Sequence, residues 1–299
     1  MFERGVFGML FFIIFLSVIS TVTLWHTKRK SALNAVKDSA EAVLVNLFAA
    51  IIVLLLVPLE GDLKFTNNLT SWVLLIIACA FCTIHIWSIT PVARNLTAIQ
   101  ISVLRQVLPI FMVLIGFVFR KELFSFSKLI ATLLIVAGNI MILYKKSNKI
   151  IEYKYILLGI GSILCISIAQ AIDVDLHTYF NMALYVSLVL GIPAIFLFWG
   201  DRTLKLHNIQ IELQKNFKNI LYAGIALGLQ TYFTLKSYQI GGEIAKIAPL
   251  LSISVLVNVF YEMAIQKYKK QKHETLKSIA LKLTVSAMII FAIYIMTLD

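Results

Sequence analysis

Apolar blocks of about 20 residues recur from one end of this chain to the other, separated by short polar stretches. A block of that length crosses the ~30 Å hydrocarbon core of a bilayer as a single helix. Lipid offers no partner to a backbone N–H or C=O, so each block has to satisfy its own groups by coiling. Ten spans can be read, over residues 6–25, 40–58, 71–89, 98–118, 129–144, 155–172, 180–199, 220–235, 247–265 and 278–296. The expected fold class is an all-α polytopic membrane protein. The loops are short, and the longest, 200–219, is too small for a domain, so one membrane domain without a soluble appendage is expected. No small-residue cleavage motif follows the first block, which therefore reads as a retained span.

Composition excludes the soluble classes. Of 299 residues, 60% are hydrophobic and 14% charged, too little polar surface to cover a soluble globule. A soluble enzyme, a nucleic-acid-binding domain and a disordered chain are set aside on that ground. The net charge of +12 comes from cations gathered between blocks, as at Lys28-Arg29-Lys30 and Lys267-Lys269-Lys270-Lys272. Such loop cations orient a membrane protein and touch anionic lipid, so membrane lipids and not nucleic acid are the expected partners. Cys79, Cys82 and Cys165 lie inside blocks, and Cys79-x-x-Cys82 has no second Cys or His pair to complete a zinc site. Packing is the expected role for these cysteines, and neither a metal nor a cofactor is expected.

An internal repeat organises the chain. Pro109 precedes Glu122 by thirteen residues in PIFMVLIGFVFRKE, and Pro249 precedes Glu262 by thirteen in PLLSISVLVNVFYE. Each stretch begins in a span, the fourth or the ninth, and is followed by a charged loop and one last span. Those last spans carry the small pairs Ala137-Gly138 and Ser286-Ala287 at similar places, where helices can approach closely. The reading is ten transmembrane helices as two five-helix repeats, residues 1–150 and 151–299. Five is odd, so the repeats lie inverted in the membrane, a plan that puts a substrate site near the midplane between the halves.

With its ten short spans, the stretch PIFMVLIGFVFRKELFSFSKLIATLLIVAG and the weaker echo of it, the chain resembles the EamA-type permeases of the drug/metabolite transporter superfamily. The resemblance covers essentially the whole chain. It implies a membrane transporter whose fourth and ninth spans flank a central cavity, with both termini cytoplasmic. The second half departs from the pattern: lysines lengthen its last loop, and no glycine stands where Gly138 does in the first. Loop charges also point the other way on orientation, with 18 Lys and Arg in the odd-numbered loops against 7 on the terminal side.

Polar groups inside spans are costly and face a cavity or a partner. Ser102, Arg105, Gln106 and Pro109 follow i, i+3, i+4, i+7 and share one helix face. Arg105 cannot discard its charge and offers a fork for a carboxylate or phosphate; the alternative is an arginine paired to an acid or to backbone carbonyls. In the sixth span Ser167, Gln170 and Asp173 lie three apart. Asp173 is the candidate proton-coupling acid or the partner of Arg105, weighed against a solvated acid at a span end. His85 shares a face with Cys82 and Ser88 and could relay protons, weighed against hydrogen-bonded packing. In the eighth span Gly224, Gly228, Tyr232 and Lys236 stand at four-residue steps, which makes Tyr232 and Gln230 candidate contacts and leaves Lys236 to reach the interface. Ser17, Ser20 and Thr21 share a face of the first span, where hydroxyls can also bond back to their own helix.

The expected function is a secondary transporter of a small organic metabolite, with an amino acid or related carboxylate favoured by Arg105. No Walker A sequence indicates ATP hydrolysis. The alternatives are a membrane-embedded enzyme on lipid-linked substrates, an exporter of hydrophobic cations, and a non-transporting scaffold. The five histidines are scattered, without the clustered acids or nucleophile an enzyme needs, so no enzyme is expected. The expected setting is the bacterial inner membrane, as a multi-pass monomer or homodimer whose partner is a small solute.

Overall fold

The computed structural model describes residues 2–61, 63–96, 101, 104–105, 107–119, 126–144, 153–241, 244–251, 253–254, 257, 284–285, 287–288 and 291–292. Its regular elements are helical: α1 Phe2–Asn34, α2 Asp38–Leu54, α3 Leu69–Asn95, α4 Val107–Phe119, α5 Phe126–Tyr144, α6 Tyr153–Leu176, α7 Met182–Gly200, α8 Leu206–Gly241 and α9 Ile244–Leu251, with 3-10 turns at Val57–Leu59 and His177–Tyr179. Among the described residues five segments are long and apolar enough to cross a membrane: Gly8–Asn34, Asp38–Leu59, Leu69–Asn95, Tyr153–Leu176 and Met182–Gly200. This is an all-helical, multi-pass membrane protein. Each of the first eight expected spans falls wholly or partly within a described helix. Glu122 and Glu262 lie outside the described residues, as does most of the tenth span.

Helix ends follow local chemistry. Past α2, Pro58 sits in the first 3-10 turn and Gly61 takes φ +84°, a left-handed conformation that glycine adopts without steric cost. Asn68 then caps α3 by accepting from the Thr70 N–H at 3.0 Å, and Asn181 caps α7 by accepting from Leu184 N–H at 3.2 Å.

Two boundaries differ from the sequence reading. The cations Lys28-Arg29-Lys30 are not in a loop; α1 continues unbroken through them to Asn34. Residues 206–219, expected as loop, are the first turns of the 36-residue α8. They are polar enough to look like a linker, yet Ile209 and Leu213, four apart, pack beside Leu44, Val45 and Ile220.

Small residues draw α2 and α8 together, as glycines at four-residue steps predict. A Cβ on Gly224 would stand 2.7 Å from the Phe48 Cβ, and one on Gly228 only 2.9 Å from the Ala49 carbonyl oxygen. Between these packed helices and α3, α6 and α7 lies the largest apolar core, which includes Leu75, Met112, Tyr185 and Leu235.

The corner between α1 and α2 is tied to three other elements. Glu212 of α8, fully buried, accepts from the Val36 and Lys37 N–H groups at 2.7 and 3.3 Å. Arg94 of α3 pairs with Asp38 at 2.6 Å and donates to the carbonyls of Ala32 and Ala35. Lys37 donates to Thr203 at 2.7 Å and pairs with Asp201 at 3.5 Å, both beyond α7.

Candidate functional site

A cavity of about 110 Å³ lies within the bundle, lined from α1, α2, α3, α4, α6, α7, α8 and the preceding Arg105. It has room for several water molecules or a small solute. Most of its wall is apolar, and a few polar groups from different helices face it.

Arg105, Gln170, Asp173, His85 and Gln230 all line this cavity, so five of the eight residues singled out by sequence share one chamber. Ser102 and Gln106 lie outside the described residues. Tyr232 is not among the lining side chains; it packs its ring edge-on against Phe233, centroids 5.4 Å apart. Helical spacing alone could not say which way Tyr232 turned. The second and seventh spans contribute Asn46 and Val189 to the wall, which sequence reasoning did not anticipate.

Arg105 is half-buried, and its guanidinium carbon stands 4.2 Å from the centroid of the Trp25 ring. The ring's negative face takes up part of the cost of the charge. Among the described residues no carboxylate lies within ion-pair distance of Arg105, so the pairing with Asp173 considered from sequence is not made. The Trp25 indole N–H is buried without a hydrogen-bond partner.

Asp173 is no solvated span-end acid: it is 2% exposed and accepts from the fully buried Tyr185 hydroxyl at 2.5 Å. Apolar residues continue past the point where the sequence suggested the membrane surface, and the Phe180 ring packs tilted against Tyr185, centroids 5.6 Å apart. Gln170, one turn earlier on α6, leaves its amide oxygen buried and without a partner. Asn46 of α2 donates to the Ala42 carbonyl at 2.8 Å, and its own oxygen is likewise unpartnered. The cavity wall therefore offers donors at Arg105 and Trp25, and acceptors at Asn46, Gln170 and Asp173.

His85 holds α3 to α6: its Nδ1 lies 2.8 Å from the Ser162 hydroxyl and 3.1 Å from the Ser162 carbonyl. Gln230 donates to Thr234 at 3.0 Å, and Thr234 meets the Ser17 hydroxyl at 2.8 Å, joining α8 to α1. Ser17 thus joins another helix, while Thr21 bonds back to the Ser17 carbonyl of its own helix at 2.8 Å. Lys236, expected to reach for the interface, pairs instead with Glu60 at 3.0 Å.

Lys28 is a charged cavity residue that the sequence reading also missed. It is 6% exposed, lines the chamber, and pairs with Glu41 of α2 at 2.6 Å, Glu41 being fully buried. The available signal was periodicity, because Lys28 extends the Ser17, Thr21, Leu24 face at helical spacing. Its place in a run of three cations concealed it.

The sequence profile of the EamA-like transporter family matches residues 5–144. Over that segment, a little under half of the chain, the protein is similar to EamA-like transporters. That segment supplies Trp25, Lys28, Glu41, Asn46, His85 and Arg105, so the cationic part of the cavity lies within the matched EamA-like region. No curated protein matches the chain's sequence. Among solved structures 28 chains are similar. One, described only as "Crystal structure of protein", superposes with a TM-score of 0.70 over 97% of each chain at 11% identity, a likeness of fold alone.

Proposed function

We propose that the chain is a secondary transporter of a small organic metabolite bearing a carboxylate, an amino acid or close relative, bound in the central cavity and released by alternating access. Two inverted five-helix halves, residues 1–150 and 151–299, would rock about that site in a bacterial inner membrane. The observation that carries the reading is Arg105, a cation over Trp25 with no carboxylate partner among the described residues, in a chamber that also presents acceptors. A solute carboxylate would meet the guanidinium fork, and its amine would meet Gln170, Asn46 or Asp173. The similarity of residues 5–144 to EamA-like transporters supports transport over catalysis.

A second reading is export of a hydrophobic cation, which the burial of Asp173 among apolar residues favours. Uptake into proteoliposomes separates the two. On the first reading Arg105→Gln loses uptake of amino acids or carboxylates. On the second Asp173→Asn loses uptake of a lipophilic cation such as tetraphenylphosphonium while Arg105→Gln leaves it intact. Wild-type protein that moves neither solute faster than empty liposomes overturns both.

A further inference from the structure

We propose that the buried Lys28–Glu41 pair sets how much negative charge a solute can bring into the cavity, with Glu41 occupying the place a second anionic group would take. The proposal rests on the reading of the cavity as a solute site and adds the pair that selects among solutes.

Two cations meet at one corner of the chamber. Lys28 stands one helical turn beyond Trp25 on α1, and Arg105 lies over that Trp25 ring at 4.2 Å. Lys28 has a carboxylate at 2.6 Å, whereas Arg105 has none among the described residues. The corner therefore presents one uncompensated positive charge, not two. Glu41 stands behind Lys28, whereas Asp173, the acid that lines the cavity among the described residues, belongs to α6 and is engaged by Tyr185.

Glu41 is held loosely for a fully buried carboxylate. Its Oε2 receives Lys28, with the Thr90 hydroxyl at a long 3.5 Å, and its Oε1 is buried without a hydrogen-bond partner. Five residues further along α2 the Asn46 oxygen, 3% exposed and also unpartnered, faces the same chamber.

A solute with one carboxylate satisfies Arg105 and leaves the Lys28–Glu41 pair intact. A solute with two, or a phosphate dianion, needs Lys28 as well, and brings its second charge against Glu41 where little water screens the repulsion. The site therefore favours one carboxylate over two. Release of Lys28 from Glu41 converts it to a dicationic site.

The test is equilibrium binding of the standard amino acids to the purified full-length protein, read by ligand-induced thermal stabilisation, with glutamine against glutamate and asparagine against aspartate as charge pairs. Wild type is expected to favour the amide of each pair at least about tenfold, and Glu41→Gln to cut that preference about tenfold or invert it. Lys28→Met, which leaves Glu41 uncompensated beside Arg105, is expected to lose binding of both members. A pair that only clamps α1 to α2 would instead weaken all amino acids alike from either end. Glu41→Gln could prevent folding, so the charge-reversed variant Lys28→Glu/Glu41→Lys carries the same test with the pair kept. It is expected to fold and lose amino-acid binding, because a carboxylate now lines the cavity; wild-type binding in that variant overturns the proposal. Arg105-dependent binding in wild type with an amide preference under twofold, or unchanged in folded Glu41→Gln, overturns the proposal alone. A wild-type protein that binds none of the amino acids overturns the reading of the cavity and the proposal with it.

Discussion

The two ends of the bundle are held together very differently. At the end where α1 turns into α2, the corner is tied to α3, to the residues after α7 and to α8, largely through side chains buried or half-buried in the bundle. At the other end of α2, about 25 Å away for a 17-residue helix, the polar ties include the partly exposed Lys236–Glu60 pair, the Asn181 N–H donating to the Lys64 carbonyl at 3.1 Å, and the buried Tyr185–Asp173 bond between α6 and α7. The first end joins helices of both sequence halves through buried Glu212 and through Arg94 and Lys37; the second joins them through the partly exposed Lys236–Glu60 pair. On an alternating-access reading, the first end is the one that costs more to open. The cavity's cationic corner, with Lys28 and Glu41, sits next to it.

The largest expected effect breaks that contrast at its strongest point. Glu41→Ala strands the Lys28 ammonium in the protein interior and should cost about 3–5 kcal/mol of stability, visible as a large fall in the thermal transition of the detergent-solubilised protein. Glu212→Ala should follow with about 1–3 kcal/mol, because it leaves the Val36 and Lys37 N–H groups without their acceptor. At the other end Lys236→Ala, which removes a pair with each side chain partly exposed, should cost less than about 1 kcal/mol in the same assay. Equal losses from Glu212→Ala and Lys236→Ala would erase the distinction between the ends.

The smallest effect concerns pH. Burial is the largest single influence and raises the Asp201 carboxyl, but hydrogen bonds from Ser39 and Thr203 and the nearby Lys37 together outweigh it and hold its pKa down at about 2, against an ordinary 3.8. A carboxyl depressed on folding adds stability that is full above 3.8 and fades as the pH falls toward 2. Unfolding followed between pH 5 and 2 should therefore show a slope that Asp201→Asn flattens.

What the sequence revealed and what it hid have separate physical causes. Spans were legible because twenty apolar residues in a row permit few folds, and close packing of α2 on α8 was legible in Gly224 and Gly228. The start of α8 was not, because its exposed polar face resembles a linker when only mean polarity is read. Arg105, Gln170 and Gln230 could be found as polar residues inside apolar blocks. Trp25 over Arg105 could not, since eighty residues separate them and only tertiary packing brings them together. Lys28 was hidden for another reason: a cation at a span end looks solvated until the helix is seen to continue past it.

The account turns on Arg105, and uptake of amino acids or simple carboxylates by Arg105 variants in proteoliposomes tests it most directly. Arg105→Gln should insert and fold normally, since no described carboxylate depends on it, yet lose at least about 90% of uptake; Arg105→Lys should keep part of it, because an ammonium cannot make the two-pronged contact. A well-folded Arg105→Gln protein with wild-type uptake would contradict the account.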